Sequence, residues 1–116
     1  MERDFSLSIF TGEKMNGYDF NGVVDTGEYS PEPTDVIITG KYITFAKEIN
    51  SWLRKHKIYS PIYFMPYIDG TDNILIMALW KSEMIQKLNL DKFYENNATE
   101  YEIIKKCCLN CEVIKV

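Results

Sequence analysis

The chain has 116 residues, of which 46% are hydrophobic and 26% charged, and its formal net charge is −4. This length predicts one domain over residues 1–116, and the composition excludes a disordered chain. The acidic balance disfavours a nucleic-acid-binding module without excluding it. The longest apolar run, Ile74 to Trp80, is far shorter than the roughly 20 residues of a membrane span, so no membrane partner is expected. The first residues, Met1 to Asp4, do not resemble a signal peptide.

Short apolar runs in the first half of the chain predict strands and one helix. Phe5 to Phe10 alternates apolar residues with Ser, which is typical of an extra N-terminal strand at the edge of a sheet. Met15 to Phe20 predicts a strand that ends at a charged turn. The β-branched run Val36 to Thr39 predicts a strand buried on both faces. From Ile43 to His56 the apolar residues recur at helical spacing, so we expect a helix there.

The second half of the chain continues this alternation. Ile62 to Met65 predicts a third strand, Lys92 to Tyr94 a fourth, and Glu112 to Val116 a fifth. Ser82 to Leu88 has the spacing of a helix. The apolar run Ile74 to Trp80 fits a strand or a helix by periodicity alone. We favour a segment that leads into the helix that follows it.

A last helix is predicted to begin at Thr99, because Thr99 and Glu102 form a capping-box pattern. Strands that alternate with helices indicate right-handed βαβ units and a parallel sheet. We therefore predict an α/β fold, a three-layer sandwich around a mostly parallel, Rossmann-like sheet of about five strands. Counted from the strand that ends at Asp19, the expected order across the sheet is fifth, fourth, first, second, third.

The three cysteines, Cys107, Cys108 and Cys111, are crowded together and cannot form a disulfide framework. Their pattern agrees with a reducing compartment, so we expect a cytoplasmic protein. A metal site would need a fourth ligand, and the single histidine, His56, is distant in sequence. We favour a structural role, in which these small side chains close a helix and open a strand.

Polar side chains follow the strands at the ends where a parallel sheet binds its ligands. The first strand leads into Asp19, the second into Thr39 and Gly40, and the fourth into Glu95. Lys81 stands where a helix is expected to open before the fourth strand. A carboxylate nucleophile, a hydroxyl, an ammonium group and a second acidic group are the parts needed to bind and attack a phosphoryl group.

Four short motifs in this order resemble those of the haloacid dehalogenase superfamily of phosphohydrolases. The first, Asp-x-Asp-x-(Thr/Val), is matched by Asp19 to Val23 except at Asn21. The second, a strand that ends in Ser or Thr, is matched by Val36 to Gly40. The third is Lys81, and the fourth, an acidic run after a strand, is matched in part by Glu95 to Asn97. The resemblance covers nearly the whole chain after about Met15.

This resemblance implies a phosphate-monoester hydrolase in which Asp19 is the nucleophile and forms an aspartyl-phosphate. The phosphoryl oxygens would be bound by Thr39, Gly40 and Lys81. A Mg²⁺ cofactor would be held by Asp19, the backbone carbonyl of Asn21, Glu95 and Asn96. The segments between the motifs leave no room for a cap domain, so the resemblance implies a minimal member with an open site.

The main departure from the family pattern is Asn21, which stands where family phosphatases have the Asp that acts as general acid. An amide has no proton to give near neutral pH, and general acid–base help is worth roughly 10²–10⁴ in rate. Poor phosphatase activity is therefore expected. Three interpretations stay open: a non-catalytic relative, an active protein whose Asp was replaced by design, or slow deamidation of the Asn21–Gly22 pair. Asn96 and Asn97 are neutral where acid is usual, which predicts weakened Mg²⁺ binding and favours natural decay.

Two classes of function remain, and a third is disfavoured. An impaired Mg²⁺-dependent phosphatase is the first hypothesis, and the alternative is a non-catalytic protein that binds a phosphorylated ligand or protein partner. A receiver-type signalling domain carries its accepting Asp on the third strand, where Phe64 to Pro66 offers no acid. Two of the candidate site residues also fit a purely structural role: Lys81 could be a solvated helix residue, and Glu95 could be the start of a turn.

Overall fold

A five-stranded, all-parallel sheet forms the centre of the computed structural model, which describes residues 14–66 and 73–116. The strands are β1 (Asn16–Tyr18), β2 (Val36–Tyr42), β3 (Ile62–Met65), β4 (Lys92–Glu95) and β5 (Glu112–Lys115). Their order across the sheet is β3–β2–β1–β4–β5, and each neighbouring pair is parallel. The predicted α/β class and the predicted strand order are both confirmed.

The α-helices of the described residues are α1 (Ala46–Lys55), α2 (Ile74–Leu88) and α3 (Ala98–Cys107), and two short 3-10 helices cover Val24–Thr26 and Ile43–Phe45. The apolar run that was ambiguous by periodicity forms the first two turns of α2, so this helix begins at Ile74 rather than at Ser82. Lys81 consequently lies in the middle of α2, not at its opening. The predicted start of the last helix at Thr99 is also wrong, because the side chain of Asn97 caps α3 instead.

The sheet is covered by different helices on its two faces, which gives the three layers that the sequence predicts. Ile37 and Ile38 are adjacent in β2, so their side chains point to opposite faces, and both are fully buried. Ile37 packs in one core with the buried residues of α1, Ile49 and Leu53. Ile38 packs in the other core with residues of α2 and α3, among them Ala78, Ile85 and Ile104.

Two expectations concern the ends of the chain. The edge strand predicted at Phe5 to Phe10 lies outside the described residues. Near the other end, Cys107 is the last residue of α3, Cys108 donates a thiol hydrogen bond to the Ser82 carbonyl at 3.5 Å, and Cys111 precedes β5. All three cysteines are free, in the positions that their structural interpretation predicts. Within residues 14–66 and 73–116, no helix is long and apolar enough to cross a bilayer.

Candidate functional site

A buried lysine surrounded by three carboxylates lies at the carboxyl ends of β1 and β4. The Lys81 Nζ atom is 3.3 Å from Asp19 Oδ1, 3.0 Å from Glu95 Oε1 and 2.9 Å from Glu100 Oε1. No side chain of the four is more than 8% exposed. The contact with Glu95 is a hydrogen bond, whereas the contacts with Asp19 and Glu100 are ion pairs. We call these four residues the lysine–carboxylate cluster.

Strand pairing and helix phase bring the cluster together. Tyr18 of β1 is paired with Tyr94 of β4, and the Asp19 N–H donates to the Tyr94 carbonyl at 3.0 Å, so Asp19 and Glu95 leave adjacent strands side by side. Lys81 lies on the buried face of α2, which also carries Ala78, Ser82 and Ile85. The sheet-facing side of α2 therefore delivers the ammonium group to the strand ends.

Asn97 connects two carboxylates of the cluster. Its backbone N–H donates to Glu95 Oε2 at 3.1 Å, and its side-chain oxygen accepts a hydrogen bond from the Glu100 N–H at 2.9 Å. Because Asn97 is the N-cap of α3, Glu100 occupies the third position of the first turn. Its side chain reaches Lys81 from there.

The formal charge of the lysine–carboxylate cluster is −2, with one ammonium group and three carboxylates. Burial raises the pKa of Asp19 well above its ordinary value; Lys81 opposes this shift, and Glu95 adds to it. Burial also raises the pKa of Glu100. Burial alone would lower the pKa of Lys81, but the three carboxylates outweigh it and raise that pKa overall. The cluster therefore favours protons and cations over anions.

Thr39 and Gly40 lie on β2, the strand next to β1. Thr39 is fully buried, and its hydroxyl oxygen accepts a hydrogen bond from the Lys41 N–H at 3.1 Å, while its O–H donates to no acceptor among the described residues. A Cβ at Gly40 would lie 2.6 Å from the Met77 sulfur, so the absence of a side chain lets α2 approach β2 closely. Gly40 therefore contributes to the packing of α2 against β2.

Asn21 and Asn96 lie in the loops that follow β1 and β4. Asn21 is exposed in the tight turn that follows Asp19. The next residue, Gly22, has a φ of +82°, and its N–H donates to Asp25 Oδ1 at 2.8 Å. A Cβ at Gly22 would collide with the Asn96 amide, so Asn96 lies directly against this turn. The structure thereby brings Asn96 beside the turn that carries Asn21.

The predicted Mg²⁺ ligands differ in their availability. Glu95 uses Oε1 for Lys81 and Oε2 for the Asn97 N–H, so a metal ion would have to share its two oxygens with these donors. In the described ranges, no group of three or more His, Cys, Asp or Glu side chains is arranged to hold a metal ion. The donors that remain are the Asp19 carboxylate, the Asn21 backbone carbonyl and the Asn96 amide. These hard oxygen donors fit Mg²⁺ in type, because Mg²⁺ is commonly bound through one or two carboxylates with water completing its shell.

Glu100 is the member of the cluster that the sequence analysis missed. The signal for it is the spacing Asn97-x-x-Glu100, which is a capping pattern two residues earlier than the one chosen at Thr99. A helix that begins at Ala98 turns Glu100 toward the strand ends. Of the predicted site residues, the structure joins Asp19, Lys81 and Glu95 by direct contact.

Comparison of the chain with protein-family models, with curated proteins and with solved structures found no match. Membership of the haloacid dehalogenase superfamily therefore stays a prediction, based on the four motifs in this chain.

Proposed function

We propose that the chain is a phosphohydrolase of the haloacid dehalogenase type, which acts slowly on a phosphate monoester through an aspartyl-phosphate at Asp19. The main support is the contact of Asp19 with Lys81, 3.3 Å apart at the carboxyl edge of a parallel sheet. A carboxylate can attack phosphorus while a neighbouring ammonium group stabilises the charge on the phosphoryl oxygens.

In the proposed step, an Asp19 oxygen bonds to phosphorus as the bond from phosphorus to the ester oxygen breaks. The leaving oxygen keeps the electron pair of that bond. Lys81 donates an N–H to a phosphoryl oxygen and gives up its longest contact, the one with Asp19. The Thr39 hydroxyl is a second candidate donor. Because Asn21 has no proton to give, the leaving oxygen takes its proton from water, which makes the step slow.

Mg²⁺ is part of this proposal, held by the Asp19 carboxylate, the Asn21 carbonyl and the Asn96 amide. It would supply the positive charge that the site lacks, since the lysine–carboxylate cluster has a formal charge of −2. A phosphate dianion is repelled by such a cluster unless a cation offsets it. We therefore expect phosphate binding to depend on a divalent cation.

A non-catalytic protein that binds a phosphorylated ligand is the second candidate. It is favoured by the amides at Asn21 and Asn96 and by the deep burial of Asp19, which is 5% exposed. The three free cysteines support the proposal of a reducing, cytoplasmic location for either function.

Steady-state hydrolysis of phenyl phosphate, whose leaving oxygen needs a proton, with Mg²⁺ and with EDTA, tests the proposed function. Asn21→Asp should raise turnover by roughly 10²–10⁴, because it restores a general acid. Asp19→Asn should abolish the remaining activity, because it removes the nucleophile. Asn110→Asp is the matched control, since Asn110 lies in an exposed turn before β5. If Asn21→Asp gains nothing while Mg²⁺ still binds, the non-catalytic function replaces the phosphohydrolase.

A further inference from the structure

The ammonium group of Lys81 has three N–H donors and three carboxylate neighbours. The two shorter contacts, 3.0 and 2.9 Å, are with Glu95 and Glu100, and the longest, 3.3 Å, is with Asp19. The contact with Glu95 is a hydrogen bond, and Glu95 and Glu100 both lie closer to the Lys81 Nζ atom than Asp19 does, so the contact with the candidate nucleophile is the one most easily exchanged for a phosphoryl oxygen.

We propose that Glu100 is a positioning residue that, together with Glu95, holds Lys81 so that its remaining N–H points at Asp19 and at a phosphoryl group bound there. This role rests on the proposed function of the site. It assigns to Glu100 an effect on ligand binding that is exerted through Lys81.

The need for a second carboxylate follows from the lysine side chain. Its stem of four methylene groups is flexible, and its ammonium group is a point charge without a built-in direction. One carboxylate would fix the distance of the Nζ atom but leave it free to swing. Two carboxylates on different elements, Glu95 at the end of β4 and Glu100 in α3, define its position.

Glu100 is itself held in place on both sides. Its backbone N–H donates to the Asn97 side chain at 2.9 Å, which fixes the first turn of α3. Its carboxylate is buried, with the residue 6% exposed, so bulk water does not compete strongly for the contact with Lys81. Asn97 also donates to Glu95, and the two carboxylates that hold Lys81 are thereby set relative to each other.

Glu100 also restores charge that the fourth motif lacks. Asn96 and Asn97 are neutral where the family pattern has acid, whereas Glu100 brings a carboxylate to the same region from one helical turn later. The restored charge acts on Lys81 rather than on the Asn21–Gly22 turn. Its expected effect is therefore on how phosphate is bound by the lysine.

Two measurements test this role without relying on turnover. Nζ-detected NMR of the lysine ammonium groups, with the Lys81 signal assigned through Lys81→Arg, reports on the surroundings of Nζ. Calorimetry with inorganic phosphate in the presence of Mg²⁺ reports on ligand binding. The variants are the isosteric Glu100→Gln, the conservative Glu100→Asp, and the control Glu102→Gln, since Glu102 is an exposed residue of the same helix.

Glu100→Gln should shift and broaden the Lys81 signal. It should also weaken phosphate binding roughly 10-fold, because losing the charge-assisted contact that positions Lys81 should cost more than removing one negative charge from the cluster gains. Glu100→Asp should recover part of both effects, and Glu102→Gln should change neither. An unchanged Lys81 signal in Glu100→Gln, or a phosphate affinity that is unchanged or higher, would overturn the role. If the parent protein binds no phosphate while the Lys81 signal still depends on Glu100, the proposed function fails and the positioning of Lys81 by Glu100 stands.

Discussion

Lys81 and Glu100 belong to different helices, and their charged atoms meet at 2.9 Å beneath the strand ends. This contact closes a buried cluster in which one ammonium group is the counter-ion for three carboxylates. Removing a partner from a buried ionic cluster leaves uncompensated charge, which costs more than an exposed ion pair contributes. The stability of this fold therefore depends strongly on Lys81.

Lys81→Met should lower the free energy of unfolding at neutral pH by about 3–5 kcal/mol, because three buried carboxylates lose their counter-ion. Urea unfolding followed by circular dichroism measures the change. Lys87→Met is the matched control, since Lys87 is exposed on the same helix, and it should cost no more than about 0.5 kcal/mol. Equal costs for the two variants would mean that the cluster is solvated rather than buried.

The raised pKa of Glu100 sets the sign of one pH effect. An acid whose pKa is higher in the folded than in the unfolded protein stabilises the folded state at pH values below the unfolded pKa. This contribution to the free energy of unfolding is lost as the pH rises through the folded pKa. For Glu100 this loss of stability begins near pH 4.5 and is complete above its raised folded pKa. The raised pKa of Lys81 acts in the alkaline range instead, where its contribution is lost above the ordinary value of 10.5.

Glu100→Gln should accordingly flatten the stability profile on the acid side. As the pH rises above 4.5, this variant should lose less unfolding free energy than the parent protein, because its side chain no longer ionises. Urea unfolding at a series of pH values provides the comparison, with Glu102→Gln as the control. Parallel profiles for the parent and Glu100→Gln would show that the pKa of Glu100 is not raised.

Gly22 and Gly27 form a natural pair for testing the turn beside Asn96. Their φ angles are +82° and +83°, but a Cβ at Gly22 would collide with Asn96, whereas one at Gly27 would meet nothing within 4 Å. Gly27→Ala should cost roughly 1–2 kcal/mol for its left-handed backbone. Gly22→Ala should cost more, and Asn96→Gly should recover the excess only in the Gly22→Ala background. A similar cost for both alanine variants would place Asn96 away from the turn.

The strand order and the shared edge of Asp19 and Glu95 could be predicted because each depends on local patterns, whereas the role of Lys81 was expected from the family resemblance. A polar residue directly after a buried strand lies at the carboxyl edge of a parallel sheet, whatever the details of packing. The alternation of strands with helices then limits the arrangement of the sheet. Asp19 and Glu95 were placed at one edge by this reasoning.

Glu100 and the start of α2 could not be predicted in the same way. Two overlapping capping patterns, at Asn97 and at Thr99, compete for the start of α3, and a shift of two residues turns a different glutamate toward the core. The run Ile74 to Trp80 is apolar on all sides, so it has no period to separate a strand from a helix. Tertiary packing therefore determines where α3 starts and that Ile74 to Trp80 is helical.

Asn96→Asp should strengthen Mg²⁺ binding, because it adds a carboxylate beside the Asn21–Gly22 turn, where Asn96 already lies. A unit charge next to a bound cation is worth several kcal/mol at most, and we expect affinity to rise roughly tenfold or more. Calorimetric titration with Mg²⁺ at about pH 8 is suitable, since the neighbouring cluster of charge −2 will raise the pKa of the new acid. Asn110→Asp adds the same charge in an exposed turn and controls for net charge. Equal gains in the two variants would mean that Mg²⁺ responds to overall charge and is not held at Asn96.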